Sequence, residues 1–164
     1  MNLFTDNLLS TILFLPTVAA LILLLVPKKY TDVFRWGALT ATILDLILVI
    51  VAWFRFKGID ATGYQFIEKA DWYGAINASY HLGVDGISMA MVLLTAILTP
   101  LAILTSFSIQ ERVKPYMLLF LLLETGMLGV FLSLDLMLFF VFWEIGLVPM
   151  YFLIAQWGGA NRNY

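Results

Sequence analysis

Cysteine is absent from this chain, and histidine occurs once, as His81. Without thiols there are no disulfides, no thiolate zinc sites and no cysteine-held iron–sulfur clusters. One imidazole leaves too little to build a haem or histidine-rich metal site, so the sequence points to no cofactor and no metal in this chain. Charge is scarce as well. Only 12% of the 164 residues are charged, whereas a soluble domain carries about a quarter. No basic stripe runs along any segment, which removes nucleic acid as a partner. What fills the chain instead is apolar: 62% of residues are hydrophobic and the mean hydropathy is +0.95. Long apolar runs with charges only between them are what a lipid bilayer requires of its solutes.

Run length gives the segments. The expected spans are about residues 8–26, 36–54, 86–107, 115–134 and 136–157. Each is 19 to 22 residues, which at about 1.5 Å per residue covers a hydrocarbon core of roughly 30 Å. Helix is required, because an unpaired backbone in lipid is too costly and no closed barrel is patterned here. The fold class is therefore an all-α integral membrane protein of five transmembrane helices. Met1 to Asn7 carry no Lys or Arg and include Asp6, unlike the positive start of a secretory signal, so the first run reads as a retained helix. No internal repeat or low-complexity tract is visible.

Orientation follows from the basic residues. Lys28, Lys29, Arg35, Arg112, Lys114 and Arg162 fall on one side, and Arg55, Lys57 and Lys69 on the other. By the positive-inside rule the N-terminus is outside and the C-terminus cytoplasmic. The connection at 55–85 is the one sizeable extramembrane piece. Its stretch from Ile76 to Val84 alternates apolar and polar residues, a strand signal, so a small loop or hairpin packed on the outer helix ends is expected. His81 lies on the polar phase and reads as a surface hydrogen-bonding residue.

Three acids sit inside apolar spans: Asp45, Glu124 and Glu144. An intramembrane carboxyl is costly unless neutralised, paired or wetted, and by default it marks function. The bland alternative is a protonated carboxyl hydrogen-bonded to a neighbouring helix, and Asp45 fits that alternative better than the glutamates do. Spans four and five are joined only by a Leu134-Asp135 turn, so they form an antiparallel helical hairpin. Glu124 lies ten residues before Leu134 and Glu144 ten after it, which puts both roughly 15 Å from the turn, at mid-membrane depth. Gly126, Gly129 and Ser133 line the face opposite Glu124. Small residues mark close packing, and if that face meets span five, Glu124 points to another neighbour. Pro149 cannot donate to the carbonyl of Ile145, one residue beyond Glu144, and Gly146 loosens the same turn; a freed carbonyl beside an acid would admit water, and the bland alternative is an ordinary proline kink of a membrane helix. Pro16 and Pro100 interrupt other spans with no acid beside them. No Lys, Arg or His lies inside any span, so either Glu144 is protonated by desolvation or its cation comes from another chain or from further sequence.

The run Phe139-Phe140-Val141-Phe142-Trp143-Glu144-Ile145-Gly146-Leu147-Val148-Pro149-Met150-Tyr151-Phe152-Leu153-Ile154, with Trp157-Gly158-Gly159 and Asn161-Arg162 after it, resembles the subunit M family of proton-pumping NADH:quinone oxidoreductase, the mitochondrial subunit 4 type of respiratory complex I. Tyr80 to Ser88 and Leu123 to Phe131 agree with it too. The resemblance implies an antiporter-like membrane subunit of many more helices, built from inverted repeats. It implies that Glu144 is a proton-relay carboxylate paired with a lysine of a later helix, with Glu124 a second candidate. NADH, flavin, iron–sulfur clusters and quinone are then expected on other subunits, which together with the lipid bilayer are the implied partners. The implied location is the cell (inner) membrane, or the mitochondrial inner membrane. On this reading residues 1–164 are the N-terminal portion of such a subunit, helices one to five. Two other readings stay open: a subunit of a multi-subunit cation/proton antiporter, which has the membrane glutamate without a redox partner, and a non-catalytic membrane scaffold.

Overall fold

The structure is a computed structural model that describes residues 7–57, 63–73 and 78–159. Ile76 and Asn77 of the expected strand, and Asn161 and Arg162, lie outside the described residues. Among the described residues the α-helices are α1 (Leu8–Leu24), α2 (Thr31–Arg55), α3 (Gly86–Thr105), α4 (Val113–Leu132) and α5 (Leu136–Trp157). Four of them, α2 to α5, are long and apolar enough to cross a membrane, while α1 is a shorter apolar helix of 17 residues.

The helices keep the expected order and differ at their ends for local reasons. α1 stops at Leu24, short of Val26, because the amides of Leu25 and Val26 turn back to the carbonyls of Ile22 and Leu23 just before Pro27. α2 begins at Thr31, outside its apolar run, and Arg35 in that added turn donates to the Ile109 carbonyl at 2.8 Å. α3 gives way to a 3-10 turn at Ser106–Ser108. α4 ends at Leu132 because the next residues are taken by the hairpin: the Leu134 amide donates to the His81 carbonyl at 2.8 Å, and Leu82 bridges Ser133. α5 has the expected bounds.

The hairpin pairs β1 (Gln65–Tyr73) antiparallel to β2 (Ala78–Val84), with Lys69 opposite His81. The alternation expected of β2 fails at its end, where Leu82, Gly83 and Val84 are all buried. That end is wedged under the α4–α5 turn, so close that a Cβ on Gly83 would meet Leu134 Cδ1 at 2.6 Å.

The hairpin lies over the rim at which α1, α3 and α5 begin, and each of these helix starts meets a carboxylate. Glu68 of β1 accepts from the amide of Leu9 at 2.7 Å and from the amide and hydroxyl of Ser10. Asp85 accepts from Ile87 and Ser88 in a reciprocal capping box. Asp135 accepts from Met137 and Leu138 and also takes the amide and hydroxyl of Ser79, tying hairpin to helix. Acceptors here satisfy amides that the helix leaves unpaired and face the positive end of its dipole. A bulge between Gln65 and Glu68, with Phe66 at a left-handed φ of 55°, turns the strand where Glu68 reaches α1. At the opposite rim the partners are donors. Lys114 Nζ meets the carbonyls of Leu24 and Val26 at 2.7 Å each, and Trp157 Nε1 meets that of Glu111.

Inside, α4 packs against each of the other four helices. Its apolar neighbours divide into a cluster under the hairpin, including Leu9, Leu13, Val92 and Leu128, and one toward the far rim, including Phe34, Ile103, Met117 and Leu121. Between the two clusters lie acids.

Candidate functional site

Three helices present a stripe of the same spacing to one another. On α2 it is Ala38, Thr42, Asp45, Val49 and Ala52; on α3, Val92, Thr95, Thr99 and Ile103; on α4, Met117, Leu121, Glu124 and Leu128. Steps of three and four keep each set on one helix face. Asp45 and Glu124 are both fully buried and interact electrostatically, with Thr99 beside Glu124. None of their four carboxylate oxygens has a hydrogen-bond partner. Asp45 thus meets a second acid, Glu124, on a neighbouring helix.

Glu144 sits elsewhere. It is exposed on α5 and lines a groove of about 420 Å3 with Phe14 and Thr17 of α1, Leu122 and Thr125 of α4, and Phe142, Ile145 and Val148 of its own helix. Thr17 and Thr125 are hydrogen-bonded at 2.8 Å. Thr125 donates to the Leu121 carbonyl, so Thr17 supplies the proton of that pair. α4 thus separates two acidic positions: Glu124 on its inner face with Asp45, and Glu144 in the groove that Thr125 lines on the other side.

The small-residue face of α4 determines this division. A Cβ on Gly126 would meet the backbone of Gly146 at 2.6 Å, and one on Gly129 would meet the Phe142 ring at 2.1 Å. That face does meet α5, and Glu124 accordingly points away from it. Pro149 is within α5, and the carbonyl carbon of Ile145 lies 3.3 Å from the Cβ position of Gly126. His81 is partly exposed on β2, and no group of three or more potential metal-ligating side chains exists among the described residues. The sequence reading left Asp45 apart from Glu124. The helical stripe of small residues around Asp45 was the signal that it faces a close neighbour.

Comparison with known proteins defines the class first. No family model matches the chain. Its fold agrees with a chain of respiratory complex I from Thermus thermophilus at a TM-score of 0.76 and 25% identity, over 94% of this chain and 30% of that one. A chain of the archaeal membrane-bound sulfane sulfur reductase has the same fold, at a TM-score of 0.74, 22% identity and coverage of 96% and 24%. The chain is thus a multi-pass membrane protein with the fold of a respiratory membrane-complex subunit. The particular relatives are subunit M sequences. NADH-quinone oxidoreductase subunit M of Rhodobacter capsulatus is 43% identical over 163 residues, 97% of this chain and 31% of that protein. NAD(P)H-quinone oxidoreductase chain 4 1 of a Nostoc species is 38% identical over all 164 residues, and chain 4 of the Mesostigma viride chloroplast 38% over 156. The chain is a homologue of these subunit M and chain 4 proteins, and it spans about 30% of the length of those it matches.

Proposed function

We propose that this chain forms helices one to five of an antiporter-like subunit M, and that it takes part in proton translocation coupled to electron transfer from NADH to quinone. The observation that carries this reading is identity of 38–43% along the whole chain to subunit M and chain 4 proteins, together with a mid-helix glutamate that opens sideways from the bundle. Electron carriers belong to other subunits of the assembly. α1 crosses the membrane with the other four helices, the hairpin rim lies outside, and the Lys/Arg-rich rim is cytoplasmic. Cysteines introduced at Asn2 and Asn163 of this segment then label from opposite sides; labelling from one side removes the five-span topology.

Glu144 is the relay carboxylate. Its groove is walled by apolar side chains and the Thr17–Thr125 pair, and no basic residue lines it. A cation supplied by a later helix or a neighbouring subunit completes it, because an ionised carboxylate in lipid needs an opposite charge. Movement of that cation toward or away from Glu144 changes how strongly the carboxylate holds a proton, which is the elementary step of a relay. The test is NADH-driven proton uptake by membrane vesicles carrying the full-length subunit in its assembled complex. Glu144→Gln keeps the size but cannot ionise, so the complex assembles and pumping is largely lost, while Glu144→Asp retains part. An assembled Glu144→Gln complex that pumps like the parent removes the assignment. Co-isolation with flavin and iron–sulfur subunits separates this reading from a cation/proton antiporter or a scaffold.

A further inference from the structure

The acid pair at the centre of α2, α3 and α4 is separate from the relay groove, and hydrogen-bond accounting shows what it lacks. Both side chains are wholly inaccessible, and their four oxygens are acceptors with no donor. The hydroxyls around them are already committed. Thr42 gives its one proton to the Leu39 carbonyl, Thr95 to that of Met91, and Thr99 to that of Thr95. Each hydroxyl has a single donor hydrogen, so Thr42 and Thr95 have none left for the acids, and Thr99, beside Glu124, has only the one it already gives to Thr95. Basic groups are out of reach. Arg35 and Arg55 stand ten residues either side of Asp45 at the two ends of α2, and Lys114 ten residues before Glu124, each roughly 15 Å along its helix. Arg35 and Lys114 are also engaged with rim carbonyls. α1 and α3 carry no titratable side chain, and the remaining acid at this depth, Glu144 of α5, opens into the groove beyond α4.

Two carboxylates buried together without donor or cation cannot both be ionised, since each charge carries a large desolvation cost and they repel. A hydrogen carried by the acids themselves is the donor that the site is missing. We propose that Asp45 and Glu124 form a second proton-holding site of the subunit, an acid pair that retains at least one proton between its two carboxyl groups at neutral pH. Uptake of a proton by either carboxyl forms one O–H bond there and its release breaks that bond, with no change of oxidation state. The proposal deepens the reading of the chain as a proton-translocating subunit, to which it adds Asp45 and a place where a proton is stored apart from Glu144.

The experiment is infrared spectroscopy of the assembled complex in native membranes, recorded in light and heavy water, where a protonated carboxyl shows a carbonyl band that ionised carboxylates lack. Asp45→Asn and Glu124→Gln are each expected to remove or shift a band present in the parent, the double variant to leave none from this site, and Glu144→Gln to leave it intact. Asp45→Glu and Glu124→Asp keep the carboxyl and should restore a shifted band, which a merely structural role would not do. Assembly of every variant is checked on native gels. An unchanged carbonyl region in the assembled single and double variants overturns the proposal. Loss of the band when sodium replaces potassium at fixed pH also overturns it, because a cation would then be the occupant. A Glu144→Gln complex that pumps normally would remove the relay and leave the band, so the two assignments fail separately.

Discussion

The carboxylates at the hairpin rim and those in the middle of the bundle are the same functional group under opposite conditions. Glu68, Asp85 and Asp135 each take two or more protein hydrogen bonds at a helix start, whereas Asp45 and Glu124 take none. At the rim, ionisation is what makes the acid useful, because a charged acceptor satisfies orphan amides and the helix dipole at once. In the core the same ionisation would be the problem. On the proposal above, stability and proton storage then fall to different acids. Hydrogen bonds to backbone at Ser88, outweighing a smaller opposing effect of burial, hold Asp85 below its ordinary value of 3.8. Those from Ser79 and then Leu138 do the same for Asp135. Burial pushes the Tyr80 phenol up, against the smaller opposing effect of its hydrogen bond with Ser10.

The comparison can be broken most directly by neutralising one acid of each kind. In the assembled complex, Glu124→Gln should lower NADH-driven proton uptake measurably while leaving thermal stability unchanged or slightly raised. Asp85→Asn should do the reverse, keeping uptake and lowering the unfolding midpoint. Reversed outcomes would erase the distinction. Next in size is Glu68→Ala, which strands the buried amide of Leu9 and leaves the Ser10 hydroxyl with Tyr80 alone. Loss of such a partner costs about 1–3 kcal/mol, read as earlier thermal unfolding in detergent, with Glu68→Gln intermediate. Asp45→Asn should cost less than about 1 kcal/mol, or stabilise, because it replaces a buried acid with a neutral side chain of the same shape; a loss as large as that of Glu68→Ala would mean that Asp45 holds the bundle together. The smallest effect concerns pH. Asp85 and Asp135 are held low in the folded chain, so their contribution is present above the unfolded value near 3.8 and is lost as pH falls through the lower folded values. Acid titration of unfolding should therefore show a step below that pH, which Asp135→Asn diminishes.

Much of this architecture is legible in run length alone. α5 matches its apolar run at both ends, with the Asp135 cap and Gly158 directly outside it, and the Gly126–Gly129 face was readable as a packing face because small residues at helical spacing have few other uses. The ends of α1, α2 and α4 differ because their terminal residues bond to other parts of the chain, which hydropathy does not encode. The Asp45–Glu124 pair depends on which helices become neighbours, and five similar apolar helices leave that order undetermined by pattern. Glu68 is hidden for a plainer reason. A side-chain cap within one helix is visible as a local motif, but a cap delivered from 59 residues away leaves no spacing to recognise.

That distance in sequence is also a delay. α1 is synthesised and can enter the membrane before residue 68 exists. At synthesis rates of about 5–20 residues per second the wait is roughly 3 to 12 s, during which water alone serves the amides of Leu9 and Ser10. Only when β1 has formed across from β2 does Glu68 arrive, with Tyr80 of β2 closing on Ser10 at 2.6 Å. α1 thus gains its cap only after α2 and both strands have been made, so its start stays adjustable while α2 takes its place.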